Sequence, residues 1–140
     1  MWFLYALLSA ISAAFVAFFS KLGLKNIDPT LATTVRSIIM AVFLILVSFS
    51  LKKFTDFSLQ TFSNKDWILI ILAGIAGAVS WLFYFMAIKA GDTTKVVAID
   101  KMSLVFVALL AFLFLGENLK WQGILGIFLM VIGTILVSIF

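Results

Sequence analysis

The chain has 140 residues, 65% of them hydrophobic and 11% charged, with a mean hydropathy of +1.28. A soluble domain is about half apolar and a quarter charged, so water is excluded as the main solvent and the composition implies an integral membrane protein. The formal charge of +4 comes from ten Lys and Arg set against six Asp and Glu; they are spread over every loop without forming a basic stripe, which excludes nucleic acid as a partner.

The first predicted span covers residues 2–20. It has no basic residue ahead of it, so it lacks the charged leading region of a secretory signal and is expected to stay in the membrane. Lys21, Gly23, Lys25, Asn26, Asp28 and Pro29 then form a polar turn. The second span covers 30–51. Lys52, Lys53, Asp56, Ser63, Asn64, Lys65 and Asp66 make the longest polar connection, in which Phe54, Phe57 and Phe62 are expected to dip into the interface.

The third span covers 67–88 and closes on Lys89, Gly91, Asp92 and Lys95. The fourth covers 96–115 and leads into the hairpin Gly116, Glu117, Asn118 and Lys120, where Gly116 suits a helix end and Asn118 a helix start. The fifth covers 119–140. Each span is about 30 Å of helix, the thickness of the hydrocarbon layer. Together they predict an all-α membrane protein of five transmembrane helices in one domain, 1–140.

Small residues recur at the spacing that lets helices approach closely: Ser9, Ala13 and Ala17; Ala73 and Gly77; Gly74 and Ala78; Gly126 and Gly133. They are expected to serve packing and are assigned no chemistry. An odd number of spans puts the two termini on opposite sides of the bilayer. On the side of the N-terminus the loops carry Lys52, Lys53, Lys65 and Lys120, and on the other side Lys21, Lys25, Lys89 and Lys95. Arg36 and Lys101, just inside the membrane toward that second side, add only a weak bias to a rule that reads Lys and Arg asymmetry. Insertion in both orientations follows, and with it an antiparallel pairing of the chain with itself.

Arg36 is the most informative charge. It lies seven residues beyond Pro29, about 10 Å into the second helix, where a cation either faces a cavity or partner or snorkels to the interface. Asp100 and Lys101 fall one turn into the fourth helix, and because adjacent residues point about 100° apart they need not pair with each other. Asp100 with Arg36 is a geometrically possible pair.

Trp81 and Tyr84 lie one turn apart below Lys89. With Lys21, Arg36, Lys89, Lys95, Asp100 and Lys101 they make either a polar vestibule over an aromatic wall or an ordinary charged interface with an aromatic belt. Glu117 is a candidate coupling carboxylate, set against the simpler reading of an acid beside a helix start. With no Cys and no His, disulfides, thiol chemistry and the usual zinc and haem ligand sets drop out. No phosphate loop, nucleophile with a base or metal spacing occurs, so neither an enzyme nor a cofactor is expected.

The stretch around Lys21, Pro29 and Arg36, the run FVALLAFLFLGE from Phe106 to Glu117, AIKAGDTTKVVAIDKMS and the closing QGILGIFLMVIGTILV together resemble the EamA domain of the drug/metabolite transporter superfamily. The resemblance covers nearly the whole chain. It implies one half of an inverted-repeat, ten-helix architecture, hence a dimer, and a transporter of a small organic metabolite or drug with a central cavity, exporters being common among larger relatives. Many relatives have a Pro where this chain has Leu104, which argues against a kink there. The Asp100 and Lys101 pair is similar to that of short single-domain members, which implies that the chain is not a fragment.

The resulting expectation is a homodimeric secondary transporter or exporter of the plasma membrane, the cytoplasmic membrane in a prokaryote. Arg36, Asp100 and Lys101 would line its polar entrance and Trp81 and Tyr84 its wall, with Asp100 and Glu117 as coupling candidates. The expected partners are the lipid bilayer, a small-molecule solute and a second copy. The alternatives are a non-transporting assembly subunit and half of an obligate heterodimer with another half-size chain.

Overall fold

The computed structural model describes residues 1–55, 58 and 62–140; Asp56 and Phe57 of the second loop lie outside the described residues. The described residues form helices and no strand, and five of the helical segments are long and apolar enough to cross a membrane. These are α1 (Trp2–Gly23), α2 (Pro29–Ser50), α3 (Asn64–Ala90), a fourth segment (Thr93–Leu115) made of α4 (Thr93–Asp100), α5 (Ser103–Leu110) and a π-helical turn (Ala111–Leu115), and α6 (Trp121–Ile139).

The described chain resolves into two compact units, one of Leu22–Lys89 and the other of Met1–Lys21 with Ala90–Phe140. In the first, Asp28 starts α2 by accepting hydrogen bonds from the backbone N–H groups of Thr30, at 2.9 Å, and Leu31, at 3.1 Å. Pro29, which has no N–H to lose, occupies the first helical turn. The bond from Leu31 is the main reason the Asp28 carboxyl sits below its ordinary pKa, reinforced by Thr30 and by the positive charge of Lys89. α3 starts before the expected residue 67 because Ser63 and Asp66 form a reciprocal cap. The Ser63 N–H and hydroxyl donate to the Asp66 carboxylate at 3.0 and 2.7 Å, and the Asp66 N–H returns a bond to the Ser63 hydroxyl at 3.2 Å. At the other end of α3, the Lys89 ammonium donates to the Ile27 carbonyl at 2.8 Å.

In the second unit, Lys21 closes α1 onto the turn before α4, its ammonium donating to the Gly91 carbonyl at 2.7 Å. Gly116 ends the π-helical turn with φ +66°, the left-handed conformation a side chain would strain. Asn118 does not cap the last helix: Lys120 holds the cap position with extended backbone, and α6 begins at Trp121.

The fourth segment is not one continuous α-helix. Across Lys101 and Met102 the hydrogen bonds switch to the tighter i to i−3 pattern, with the Met102 N–H bonding Ile99 at 2.9 Å, Leu104 bonding Lys101 at 3.1 Å and Val105 bonding Met102 at 2.9 Å. The ψ angles there, −13° and −15°, are flatter than an α-helix adopts. The missing Pro at Leu104 therefore does not keep this segment regular, since the irregularity begins before it and needs no Pro.

Buried apolar side chains are few: Ala17, Leu24, Phe85 and Ile88 among the described residues. Most Leu, Ile and Phe face outward, as bilayer solvent permits. The expected close helix approach at glycine is not met inside the chain, because a Cβ added at Gly74, Gly77, Gly126 or Gly133 would touch nothing within 4 Å. The hydroxyls of Ser12, Thr33, Thr34, Ser37, Ser50 and Ser138 bond carbonyls one turn back in their own helices, at 2.7 to 3.0 Å. They are thereby satisfied without water.

Candidate functional site

In the unit of Leu22–Lys89, α2 and α3 bring Arg36, Trp81 and Tyr84 together. The guanidinium carbon of Arg36 lies 3.7 Å from the centre of the Trp81 ring and 5.6 Å from that of Phe85. Trp81 in turn meets Tyr84 edge-on at 5.3 Å and Phe85 edge-on at 5.9 Å. Positions 81, 84, 85 and 88 follow the i, i+3, i+4, i+7 spacing of one helix face, which is why the three rings cluster over buried Ile88. Phe85 was not singled out from sequence, although its i+4 relation to Trp81 is the signal that finds it.

Arg36 is half-buried. The described acids of its own unit are engaged elsewhere, Asp28 at the start of α2 and Asp66 with Ser63. A cation stacked on an indole is stabilised by the negative face of the ring, with the strongest effect where water is scarce. Stacking uses the face of the guanidinium and leaves its N–H edge for an acceptor.

In the other unit, Asp100 and Lys101, which their helical spacing leaves free to pair or not, do pair. The Lys101 ammonium is 3.6 Å from the Asp100 carboxylate, and both side chains are about half exposed, at 56% and 40%. The pairing sits beside a groove of about 950 Å³ whose walls include Ala10, Ala98, Lys101, Ser103, Gly133 and Thr134.

Thr134 is buried, and its hydroxyl donates to the Ala98 carbonyl at 3.3 Å, linking α6 to α4. The i+4 N–H that would serve Ala98 in a regular helix is that of Met102, which bonds Ile99 instead. The Ala98 carbonyl accepts the Lys101 N–H at 3.2 Å in its place, and the Thr134 hydroxyl adds a second bond to it. Thr134 was missed from sequence; a hydroxyl beside a glycine in the middle of a largely apolar span was its signal.

Two of the lysines expected around a polar vestibule, Lys21 and Lys89, hold the Gly91 and Ile27 carbonyls described above. Glu117 lies just after Gly116, and its N–H bonds the Ala111 carbonyl at 3.2 Å. No cluster of acidic side chains suited to a metal occurs among the described residues.

The model of the EamA-like transporter family matches residues 1–139. A Sinorhizobium protein named as an uncharacterized transporter in the cobO 3' region is 34% identical over 139 residues, which is 99% of this chain and 97% of that protein. No solved structure matches. A match over nearly the full chain, on five apolar helices with paired charges and an aromatic-faced arginine, places the protein among multi-pass membrane transporters: the chain belongs to the EamA-like transporter family.

Proposed function

We propose that the protein is a secondary transporter that exports a small organic metabolite or drug across the plasma membrane, the cytoplasmic membrane in a prokaryote, and that it works as an antiparallel homodimer. The observation that carries this reading is Arg36, a permanent cation about 10 Å along a membrane helix, stacked on Trp81. Such a charge is costly in hydrocarbon unless it serves a solute path. In this reading Arg36, Asp100 and Lys101 line the polar entrance, Trp81 and Tyr84 form its wall, and Asp100 and Glu117 are the candidates for coupling.

The dimer is supported by the glycine positions that meet nothing within the chain, at Gly74, Gly77, Gly126 and Gly133, where a second copy can approach closely. It is supported too by the even division of loop lysines between the two sides. Vesicles containing only this protein test the reading. Solute flux from them supports it, whereas flux that needs a second half-size chain points to a heterodimer and no flux at all points to an assembly subunit.

A further inference from the structure

Among the described residues of its own unit, no carboxylate meets the hydrogen-bonding edge of Arg36. Its guanidinium face is covered by Trp81 at 3.7 Å, and Phe85 lies 5.6 Å away. Aromatic rings offset part of the cost of a cation away from water, but they accept none of its five N–H bonds. The described carboxylates of that unit are engaged elsewhere: Asp28 caps α2 and Asp66 bonds Ser63.

We propose that the open edge of Arg36 binds the carboxylate of an organic anion, whose apolar part lies against Trp81, Tyr84 and Phe85. The proposal rests on the transporter reading, to which it adds a substrate class. A planar fork of donors matches a carboxylate with two parallel hydrogen bonds, a geometry that lysine cannot reproduce. The indole beneath fixes the plane of the fork. The three rings supply an apolar wall next to the charge, which suits a carboxylate on a hydrocarbon body better than a small hydrophilic anion.

The test uses Trp81 as its own reporter. In full-length protein carrying Trp2→Phe, Trp67→Phe and Trp121→Phe, purified in an uncharged detergent, Trp81 emission is followed while cyclohexanecarboxylate, cyclohexylamine or cyclohexanol is added. The expected result is a saturable change with the carboxylate alone, weakened at least tenfold in Arg36→Gln and less in Arg36→Lys, with helix content by circular dichroism unchanged in all. An equal response to the amine or the alcohol, or a carboxylate response that survives Arg36→Gln, overturns the proposal. A response to phosphatidylglycerol with none to the carboxylate also overturns it, by assigning the guanidinium to a lipid headgroup. Carboxylate binding without flux leaves the site standing and counts against the transporter reading; flux without a carboxylate response does the reverse.

Discussion

The Arg36 guanidinium lies over Trp81, with its carbon 3.7 Å from the ring centre, joining α2 to α3 through a cation and an indole. Stacking of this kind offsets part of the cost of a charge at this depth. In the solute path proposed above, the same contact would orient the arginine toward its ligand.

Removing the indole tests that role. A cation–π contact contributes about 1 kcal/mol, more when water is scarce, so Trp81→Ala is expected to raise the half-saturating solute concentration about fivefold, the factor that 1 kcal/mol represents. Trp81→Phe should fall between the two. Concentration-dependent flux in vesicles at matched protein content measures it, and unchanged half-saturation in Trp81→Ala would mean that the stack has no part in binding.

The Thr134 hydroxyl bridges to another helix, at 3.3 Å from the Ala98 carbonyl. Thr134→Val keeps the shape and removes the donor, and interhelical bonds in membranes contribute about 0.6 to 1 kcal/mol. Thermal unfolding in detergent should show a small loss of stability of that order for Thr134→Val, with Thr134→Ser close to the parent protein.

Two backbone positions make opposite predictions. Gly116 has φ +66° and Lys52 has φ +53°, and a residue with a Cβ loses about 1 kcal/mol in the left-handed region. Gly116→Ala should therefore lower the unfolding midpoint and Lys52→Gly should raise it. Neither substitution touches Arg36 or Trp81, so solute binding is expected to stay as it is.

Asp28 gives the protein an acid-sensitive helix start. Its carboxyl is held below the ordinary value of 3.8 by the N–H groups of Leu31 and Thr30 and by Lys89. A carboxyl depressed in the folded state stabilises above its unfolded pKa, and that stability is lost as pH falls through the folded value. Unfolding midpoints measured from neutral pH downward should decline below about pH 4 in the parent, and this part of the decline should be absent in Asp28→Ala, which starts lower at neutral pH.

The five spans were legible because runs of some twenty apolar residues broken by Lys, Asp, Gly and Pro leave few alternatives in a bilayer. Pro29 and Gly116 marked a helix start and a helix end for the same local reasons that the structure displays. The tightened turn at Lys101 and Met102 was not legible, since neither Gly nor Pro occurs there and the hydroxyl that reaches the Ala98 carbonyl, that of Thr134, is 36 residues away. Whether Asp100 pairs with Lys101 was left open by helical spacing alone, and the structure shows the contact at 3.6 Å. Asn118 was a reasonable cap by residue type, yet the chain stays extended until Lys120. Arg36 with Trp81 and Tyr84 could be gathered from depth and helical spacing, whereas the stacking itself depends on how α2 and α3 meet.

The most direct measurement of the central claim is solute release from vesicles that contain only this protein and are loaded with a mixture of small organic metabolites, comparing the parent with Arg36→Ala and Arg36→Lys. The account predicts release of at least one solute by the parent, a loss of tenfold or more in Arg36→Ala and a smaller loss in Arg36→Lys, with all three proteins inserted at equal levels. Release by Arg36→Ala at the parent rate would contradict it and make Arg36 an interface anchor with no part in transport.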